Sequence, residues 1–377
     1  MIYLDYASST PIDTAVLDLF YDISKKYYAN PNSSHKLGVE ERNLIELYTS
    51  KIAQKLKCLN EEIIYTSGAS ESNNLAIKGI CERYKSVGKH IIISSIEHNS
   101  IVSSCTDMQE LGFEITVIPI QKDGIIDVEE LKKSIRNDTI LVSVSSVDSE
   151  LGIKQPIEQI GKLLQNYPNC HFHTDASQAI GKIDLDYSLV DLITIAPHKF
   201  YGLNSSGALI KKKGVSLKPQ ISGGKSITMY RSGTPDLASV AAFSKALEIA
   251  IDNQKVRYKY VEKLHDMIKN KLLEYDNVHI NSTDNSIPYI LNFSIIGTKS
   301  LDIQKKLEEN EIYVSTKTSC CPIETPSKIV YALTQNKKLS VSSIRLSLSH
   351  LTKESEIEDF LKLFDSIYKE YEVNGKI

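Results

Sequence analysis

The chain has 377 residues, of which 41% are hydrophobic, and a formal net charge of −3. A chain of this length exceeds the size at which a single hydrophobic core stops growing, so we expect a large domain and a smaller one. The nearly balanced charge, with lysine and arginine spread along the chain, argues against nucleic acid or an anionic membrane as a partner. One basic cluster, Lys211–Lys213, follows an apolar run, and we interpret it as a solvated turn.

The N-terminal segment lacks the pattern of an export signal. Asp5 interrupts it before an apolar stretch could form, and no apolar run approaches the ~20 residues that a membrane-spanning helix needs. The six cysteines are irregularly spaced and include no CxxC motif, which argues against a disulfide framework or a zinc site. We therefore expect a cytoplasmic protein without membrane spans and without a bound metal.

Apolar, β-branched runs alternate with helix-like segments through the middle of the chain. This alternation predicts an α/β fold with a doubly wound, mostly parallel sheet, whose ligands bind at the carboxyl ends of the strands. After about residue 252 a long charged helical stretch precedes two alternating strands, which predicts a small α/β domain. We assign residues 13–252 to a large cofactor-binding domain, and residues 1–12 with 253–377 to the small domain. The predicted strands are 62–66, 90–94, 114–120, 139–147, 170–174, 192–196, 289–294 and 343–348.

Polar residues stand where two neighbouring predicted strands end. Asp175 and Gln178 follow the first of these strands, and His198 and Lys199 follow the second. Pyridoxal phosphate requires a carboxylate for its pyridine nitrogen, a lysine amine for a Schiff base, and polar groups for its phosphate and phenolic oxygen. The sequence therefore predicts a site for this cofactor.

A metal site is the alternative for the first of these strands. His171, His173 and Asp175 share one face of the strand by its period of two, and imidazole with carboxylate is a common ligand set. This alternative gives no role to Gln178 or Lys199.

The segment Thr66–Glu71 follows a strand and opens a helical run. Free backbone N–H groups and the positive end of the dipole at such a point favour an anion, here the phosphate. The same segment can also be an ordinary helix start, since Ser70 is a good N-cap residue. Both interpretations are open at this stage.

Ordered segments over nearly the whole chain resemble the cysteine desulfurases of the nitrogen-fixation and iron–sulfur-cluster type. These are class V, fold-type I pyridoxal phosphate enzymes, so the resemblance implies a PLP-transferase fold and a homodimer. It also implies conversion of L-cysteine to L-alanine, with the sulfur passed to a protein acceptor or scaffold for cluster, cofactor or tRNA thiolation. The matching segments are 3–6, 30–35, 66–79, 96–98, 173–178, 198–199, 231–234 and 343–348.

The resemblance assigns roles around the cofactor ring. Lys199 would hold the cofactor as a Schiff base and move protons at the substrate α-carbon. Asp175 would keep the pyridine nitrogen protonated, and Gln178 would bond the phenolic oxygen. His98 would stack on the ring and act as an acid/base group.

The resemblance also assigns the phosphate, the substrate and the sulfur. Ala69, Ser70 and His198 would hold the phosphate, and Thr234 would reach it from a second subunit. Arg345 would bind the substrate carboxylate. Cys320 lies at the position of the family's nucleophile, so its thiolate would attack the substrate sulfur and carry the persulfide.

The chain departs from the family pattern at several positions. Two asparagines are replaced by Asp148 and Ser149, so Ser149 stands where an amide normally contacts cofactor or substrate. We expect Asp148 to bring negative charge close to Arg345 and so to weaken cysteine affinity. Ala196 replaces a serine near the phosphate, and Cys321 adds a second thiol directly after the nucleophile.

Two other functions are compatible with these departures. The first is a related pyridoxal phosphate enzyme, namely a selenocysteine lyase, a cysteine C–S lyase or an aminotransferase. The second is a homologue that has lost most of its chemistry and acts as a binding partner. Retention of Lys199, Asp175, Arg345 and Cys320 together argues against the second.

Overall fold

The computed structural model describes residues 1–224, 226–317 and 325–373, so Cys320 and Cys321 lie outside the described residues. The strands are β1 Ile2–Tyr3, β2 Ile63–Thr66, β3 His90–Ser94, β4 Glu114–Ile118, β5 Thr139–Ser143, β6 His171–Asp175, β7 Leu192–Ile195, β8 Gly207–Lys211, β9 Val278–Ile280, β10 Ile290–Ile295, β11 Ile312–Tyr313 and β12 Ser343–Ser347. The helices are α1 Thr14–Lys26, α2 Lys36–Leu56, α3 Ala69–Tyr84, α4 Asn99–Glu110, α5 Val128–Ser134, α6 Ile157–Leu164, α7 Leu237–Asp252, α8 Gln254–Leu272, α9 Ser300–Glu308, α10 Lys328–Thr334, α11 Lys337–Val341 and α12 Glu354–Val373. No helix in these ranges is long and apolar enough to cross a membrane.

The central sheet has seven strands in the order β2-β8-β7-β6-β5-β3-β4. From β7 to β4 every neighbouring pair is parallel, whereas β8 runs antiparallel to both β2 and β7. The inner strands β3, β5 and β7 are mostly apolar and buried, as in sheets covered on both faces by helices. The predicted α/β fold with a mostly parallel sheet is confirmed.

The strand predicted to extend to residue 147 ends at Ser143. Beyond it the chain bonds to the side chain of Glu97: the Ser145 N–H and hydroxyl donate to the Glu97 carboxylate at 2.9 and 2.6 Å. Residues 144–147 therefore belong to a loop at the edge of the sheet, where the candidate site lies.

The interpretation of Lys211–Lys213 as a solvated turn is wrong for its first residue. Lys211 is the last residue of β8 and is only 4% exposed. Its Nζ donates to the Lys212 and Val215 carbonyls at 3.1 and 2.8 Å, because the chain turns back over the amine.

A second, antiparallel sheet has the order β12-β10-β9, and β1 pairs in parallel with β11. The alternation of polar and apolar residues along β10 and β12 was predicted from the sequence, but both faces of these two strands are buried. The polar face lies against the loop after β5, where Asn292 Nδ2 donates to the Glu150 carbonyl. Leu4 and Ala7 of the N-terminal segment join the apolar core of this sheet. The domain boundaries assigned from the sequence stay a prediction.

Candidate active site

A cavity of about 380 Å³ opens at the carboxyl ends of β2, β3, β5, β6 and β7. Its volume falls in the range of small-molecule sites. Nine residues that the sequence indicated for the site line this cavity: Ala69, Ser70, His98, Ser149, Asp175, Gln178, His198, Lys199 and Arg345. The topology therefore brings together residues that lie up to 276 positions apart. β2, β6 and β7 end at one edge of the central sheet, and Arg345 reaches the same cavity from β12 of the second sheet.

Lys199 ends a short 3-10 turn, Pro197–Lys199, that follows β7. Its Nζ donates to the carbonyls of Ala7 and Ser8, both at 2.7 Å. The Thr10 N–H and hydroxyl in turn donate to the His198 carbonyl. The N-terminal segment therefore forms one wall of the cavity and holds the amine inside it.

Asp175 is the last residue of β6, and its carboxylate is buried below the cavity. Asn73 Nδ2 donates to one carboxylate oxygen at 2.8 Å, and the Ser177 N–H donates to the other at 2.9 Å. The Ser177 hydroxyl is buried and has no hydrogen-bond partner among the described residues. The Asp175 carboxylate is thus held in place, and the described residues leave the hydrogen-bonding capacity of the neighbouring Ser177 hydroxyl unused.

His173 lies two residues before Asp175 on β6 and does not share a metal site with it. Its Nδ1 is 2.8 Å from the Ser143 hydroxyl and its Nε2 is 3.1 Å from the Thr194 hydroxyl. Burial lowers the pKa of His173 to about 4, so the ring is neutral near neutral pH. Within the described ranges no group of three possible ligands could hold a metal ion, which leaves the metal alternative without a ligand set there.

One end of the cavity, predicted to bind the phosphate, lies at the start of α3. The N-cap is Gly68, not Ser70, which instead lies in the first turn of the helix. Gly68 has φ +150°, and a Cβ on Gly207 of β8 would lie 2.6 Å from its Cα, so both positions need glycine. The close approach leaves the backbone N–H groups at the helix start open to an anion.

His198 and Ser205 complete this end of the cavity. Burial, followed by the charges of Lys199 and Lys182, lowers the pKa of His198 to about 4. The neutral ring can donate one hydrogen bond to a phosphate oxygen without adding charge. Ser205 was not predicted; it supplies a hydroxyl on this side, where Ala196 lacks one.

His98 is the N-cap of α4, and its Nδ1 accepts the Ser100 N–H at 3.2 Å. Burial lowers the pKa of His98, so it is neutral at neutral pH and able to accept a proton. The preceding residue, Glu97, is buried beneath the site, and burial raises the pKa of its carboxyl to about 7.

Arg345 projects from β12 into the cavity and is only 1% exposed. Its guanidinium donates to the Asp5 carboxylate at 2.6 Å, the Ser8 hydroxyl at 2.7 Å and the Ser149 carbonyl at 2.8 Å. Its Nε has no partner among the described residues. A substrate carboxylate that binds the guanidinium in the bidentate manner would have to displace one of these partners. Asp5 is the partner it would replace, because both groups are carboxylates.

The expected effect of Asp148 on Arg345 and on cysteine affinity stays a prediction, and the described hydrogen bonds of its carboxylate lie within its own loop. One Asp148 oxygen accepts the N–H groups of Glu150 and Leu151 at 2.8 and 2.7 Å, and the other accepts that of Ile153 at 2.7 Å. Burial raises the pKa of its carboxyl to about 6. The carboxylate therefore closes its own loop, and both Asp148 and Ser149 line the cavity.

Two predicted residues do not take part in this cavity as described. Thr234 lines an adjoining cavity of about 250 Å³, which shares Ser67 and Ser205 with the first one. Cys320 lies outside the described residues. The roles of both stay predictions.

Residues 2–360 match the family model of aminotransferase class V. The chain belongs to this family. It is 35% identical to the NifS/IcsS protein homolog of Lactobacillus delbrueckii subsp. bulgaricus, over 98% of both chains. It is also 35% identical to cysteine desulfurase IscS of Dictyoglomus turgidum, over 97% of this chain and 94% of that protein.

A solved structure of a NifS-like protein superposes on 98% of this chain and 99% of its own, with a TM-score of 0.92 and 30% identity. The resemblance to cysteine desulfurases inferred from sequence motifs is therefore confirmed, together with the fold-type I architecture.

The cofactor of the class V family fits this cavity by its chemistry. Asp175 offers a fixed carboxylate for a protonated ring nitrogen, and Lys199 offers an amine at the same cavity. The start of α3 and the neutral His198 offer donors for a phosphate. The residues present therefore match the chemical requirements of pyridoxal phosphate.

Sequence reasoning missed several residues that support the class V site. Asn73 holds Asp175 and lies in a segment that was matched as a whole without a role for this residue. Asp5 and Ser8 bind Arg345 from 340 and 337 positions away, so no local signal could have found them. Lys182 lies four residues after Gln178, a spacing that favours contact in a helical turn, and this signal was available.

Proposed function

We propose that the protein is a pyridoxal-phosphate-dependent cysteine desulfurase that converts L-cysteine to L-alanine and keeps the sulfur as a persulfide on Cys320. The observation that carries this proposal is the convergence of Lys199, Asp175 and Arg345 on one cavity, next to the start of α3. The full-length similarity to cysteine desulfurases supports the same reaction.

When bound, pyridoxal phosphate supplies an electron sink for the charge that develops at the substrate α-carbon. Asp175 sustains this sink, because its buried carboxylate favours a proton on the ring nitrogen. Lys199 would move a proton at the α-carbon, and neutral His98, which lines the same cavity, would accept or return one. Arg345 orients the substrate through its carboxylate, with Ser8 and the Ser149 carbonyl holding the guanidinium in position.

The sulfur step needs a thiolate that reaches the cavity. Described cysteines are Cys58, Cys81, Cys105 and Cys170; none of them lines the cavity, and burial raises the pKa of each thiol. Ser315 exchanges two main-chain hydrogen bonds with Arg345, at 3.2 and 2.7 Å. Cys320 follows five residues later, a length of chain that can span up to about 17 Å. This reach supports Cys320 as the nucleophile.

In the proposed step the Cys320 thiolate attacks the sulfur of the bound cysteine. The carbon–sulfur bond breaks, its electron pair stays with the carbon, and protonation of that carbon gives alanine. The enzyme keeps a persulfide, which a protein acceptor or a reductant removes.

The test is turnover of L-cysteine with alanine and sulfide measured together, with and without a thiol reductant. Without reductant, alanine formation should stop after about one equivalent per active site, since each turnover fills one thiol. With reductant, alanine and sulfide should rise together. Pyruvate or free sulfide without reductant would favour a C–S lyase, and an amino-group transfer without sulfur release would favour an aminotransferase.

We also propose a homodimer in which Thr234 approaches the phosphate site of the second copy. Thr234 lines the adjoining cavity, which shares Ser67 and Ser205 with the first one, and Arg231 forms a 3.0 Å ion pair with Glu71 at the start of α3. These contacts lie within one chain, so the approach to the second copy rests on the resemblance to the cysteine desulfurases. Light scattering should give twice the chain mass, and Thr234→Ala should weaken cofactor binding without dissociating the dimer. A monomeric mass for the active enzyme would contradict the arrangement. The cytoplasmic location and the protein sulfur acceptor stay predictions.

A further inference from the structure

Lys182 is a buried lysine that the reaction described above does not use. It is 8% exposed, and its Nζ donates to Gln178 Oε1 at 2.6 Å. The amine also lies 5.8 Å from the centre of the Tyr289 ring. Among the described residues it forms no salt bridge, and the charged groups that act on it, Lys199 and Arg345, have the same sign.

This position is unfavourable for an ammonium group. Burial, followed by the charges of Lys199 and Arg345, lowers the pKa of Lys182 to about 7. Lysine is rarely buried unless it is paired or has a specific function. The only side-chain oxygen that receives its hydrogen bond in the described structure is that of Gln178.

The two partners of the Gln178 side chain fix the orientation of its amide. The Ala7 carbonyl can only accept, so the amide nitrogen faces it, at 2.9 Å. The amide oxygen then faces Lys182, which donates to it. The second N–H of the amide nitrogen has no acceptor among the residues that the structure describes, and Gln178 lines the candidate cavity.

We propose that Lys182 is a positioning residue that, by donating to Gln178 Oε1, keeps the second amide N–H of Gln178 available to the phenolic oxygen of bound pyridoxal phosphate. This inference rests on the proposed function, because it presumes that cofactor. The hydrogen bond of Lys182 reaches the cofactor site through Gln178. Without it, the buried amide oxygen loses its donor, and the bond to the Ala7 carbonyl alone holds the amide. The amide then keeps its second N–H less firmly directed at the phenolic oxygen.

The test measures the dissociation constant of pyridoxal phosphate for the apoprotein by absorbance titration. Lys182→Met should weaken binding about tenfold, the equivalent of one hydrogen bond to a charged oxygen. Lys182→Gln, which keeps an N–H donor, should retain most of the affinity. In a Gln178→Ala background, Lys182→Met should cause almost no further loss, because its effect passes through that amide.

A cofactor analogue separates this role from a general structural one. The analogue that lacks the phenolic oxygen, 3-deoxypyridoxal 5′-phosphate, should bind Lys182→Met and wild type equally well. The matched control is Lys211→Met, which removes another buried lysine whose amine, within the described part of the chain, donates to two main-chain carbonyls. It should lower stability and leave the affinity for both compounds unchanged.

Additive losses in the double variant, or an equal loss with the analogue, would overturn the role of Lys182. Either result would leave the proposed function intact, since wild-type binding of pyridoxal phosphate tests that separately.

Discussion

Replacing Arg345 with alanine should cripple the use of cysteine while the cofactor stays bound. The guanidinium is 1% exposed and holds three partners within 2.8 Å. Truncating one side of a buried, hydrogen-bonded charge pair typically removes about 2–5 kcal/mol. For a group that binds the substrate carboxylate, this corresponds to a loss of about 30-fold to several-thousand-fold in kcat/KM.

The same change also breaks the ion pair with Asp5, which joins β12 to the N-terminal segment. Asp5→Asn is therefore the matched variant, since it removes the ion pair and keeps the guanidinium. We expect it to lower the KM for cysteine, because Asp5 no longer competes with the substrate carboxylate. A surface control, Arg136→Ala, removes an exposed arginine that pairs with Glu114 and Asp138 and should leave the kinetics unchanged.

The assay is alanine formation over a range of cysteine concentrations, with bound pyridoxal phosphate and thermal stability measured on each variant. If Arg345→Ala leaves KM and kcat/KM unchanged, Arg345 does not bind the substrate. If Asp5→Asn reproduces the full loss of Arg345→Ala, the effect belongs to the ion pair and the assignment is again refuted.

Four further outcomes are expected. The purified protein should be yellow, and borohydride should fix the cofactor on Lys199 in peptide maps; attachment to another lysine would contradict the assignment. Cys320→Ser should abolish the persulfide while Cys321→Ser leaves some turnover, and mass mapping of the persulfide to Cys321 alone would reverse the two. Burial raises the pKa of Glu97 from 4.5 to about 7, so its protonation stabilises the fold at low pH and this contribution is lost as pH rises through about 7. Glu97→Gln should remove this pH dependence. In urea unfolding, the difference in free energy of unfolding between the variant and wild type should change by about 3 kcal/mol between acid pH and about pH 8. Plots of unfolding free energy against pH that stay parallel for the two proteins would disprove it. Ser149→Asn should raise kcat/KM for cysteine about tenfold, and a flat or lower value in the alanine assay would show that the serine suits another substrate.

The cofactor residues could be predicted from the sequence because each follows a strand of a recognisable parallel sheet. Asp175 and Lys199 needed only the ends of two apolar runs and the rule that carboxyl ends share an edge. Nothing about their distant partners was needed to place them together.

The contacts that tune these residues could not be predicted in the same way. Ser70 has the chemistry of an N-cap, yet the close packing of Gly68 on Gly207 moves the start of α3 by two residues. The sequence indicated that Asp148 adds a charge near Arg345, but it did not indicate that three backbone N–H groups of its own loop donate to the carboxylate. Both outcomes depend on where the backbone turns, which residue type alone does not determine.

The amine of Lys199 is held by the main chain of Ala7 and Ser8, and this affects how the site can be studied. Alanine scanning leaves backbone carbonyls in place, so it would assign positions 7 and 8 too small a role. Deletion of residues 1–8, in contrast, would remove both carbonyls, the pairing of β1 with β11, and the Asp5 carboxylate in one step. A fusion partner or purification tag attached directly before Ile2 would be joined to the same segment. Kinetics measured on a tagged protein should therefore be compared with kinetics measured after the tag is removed.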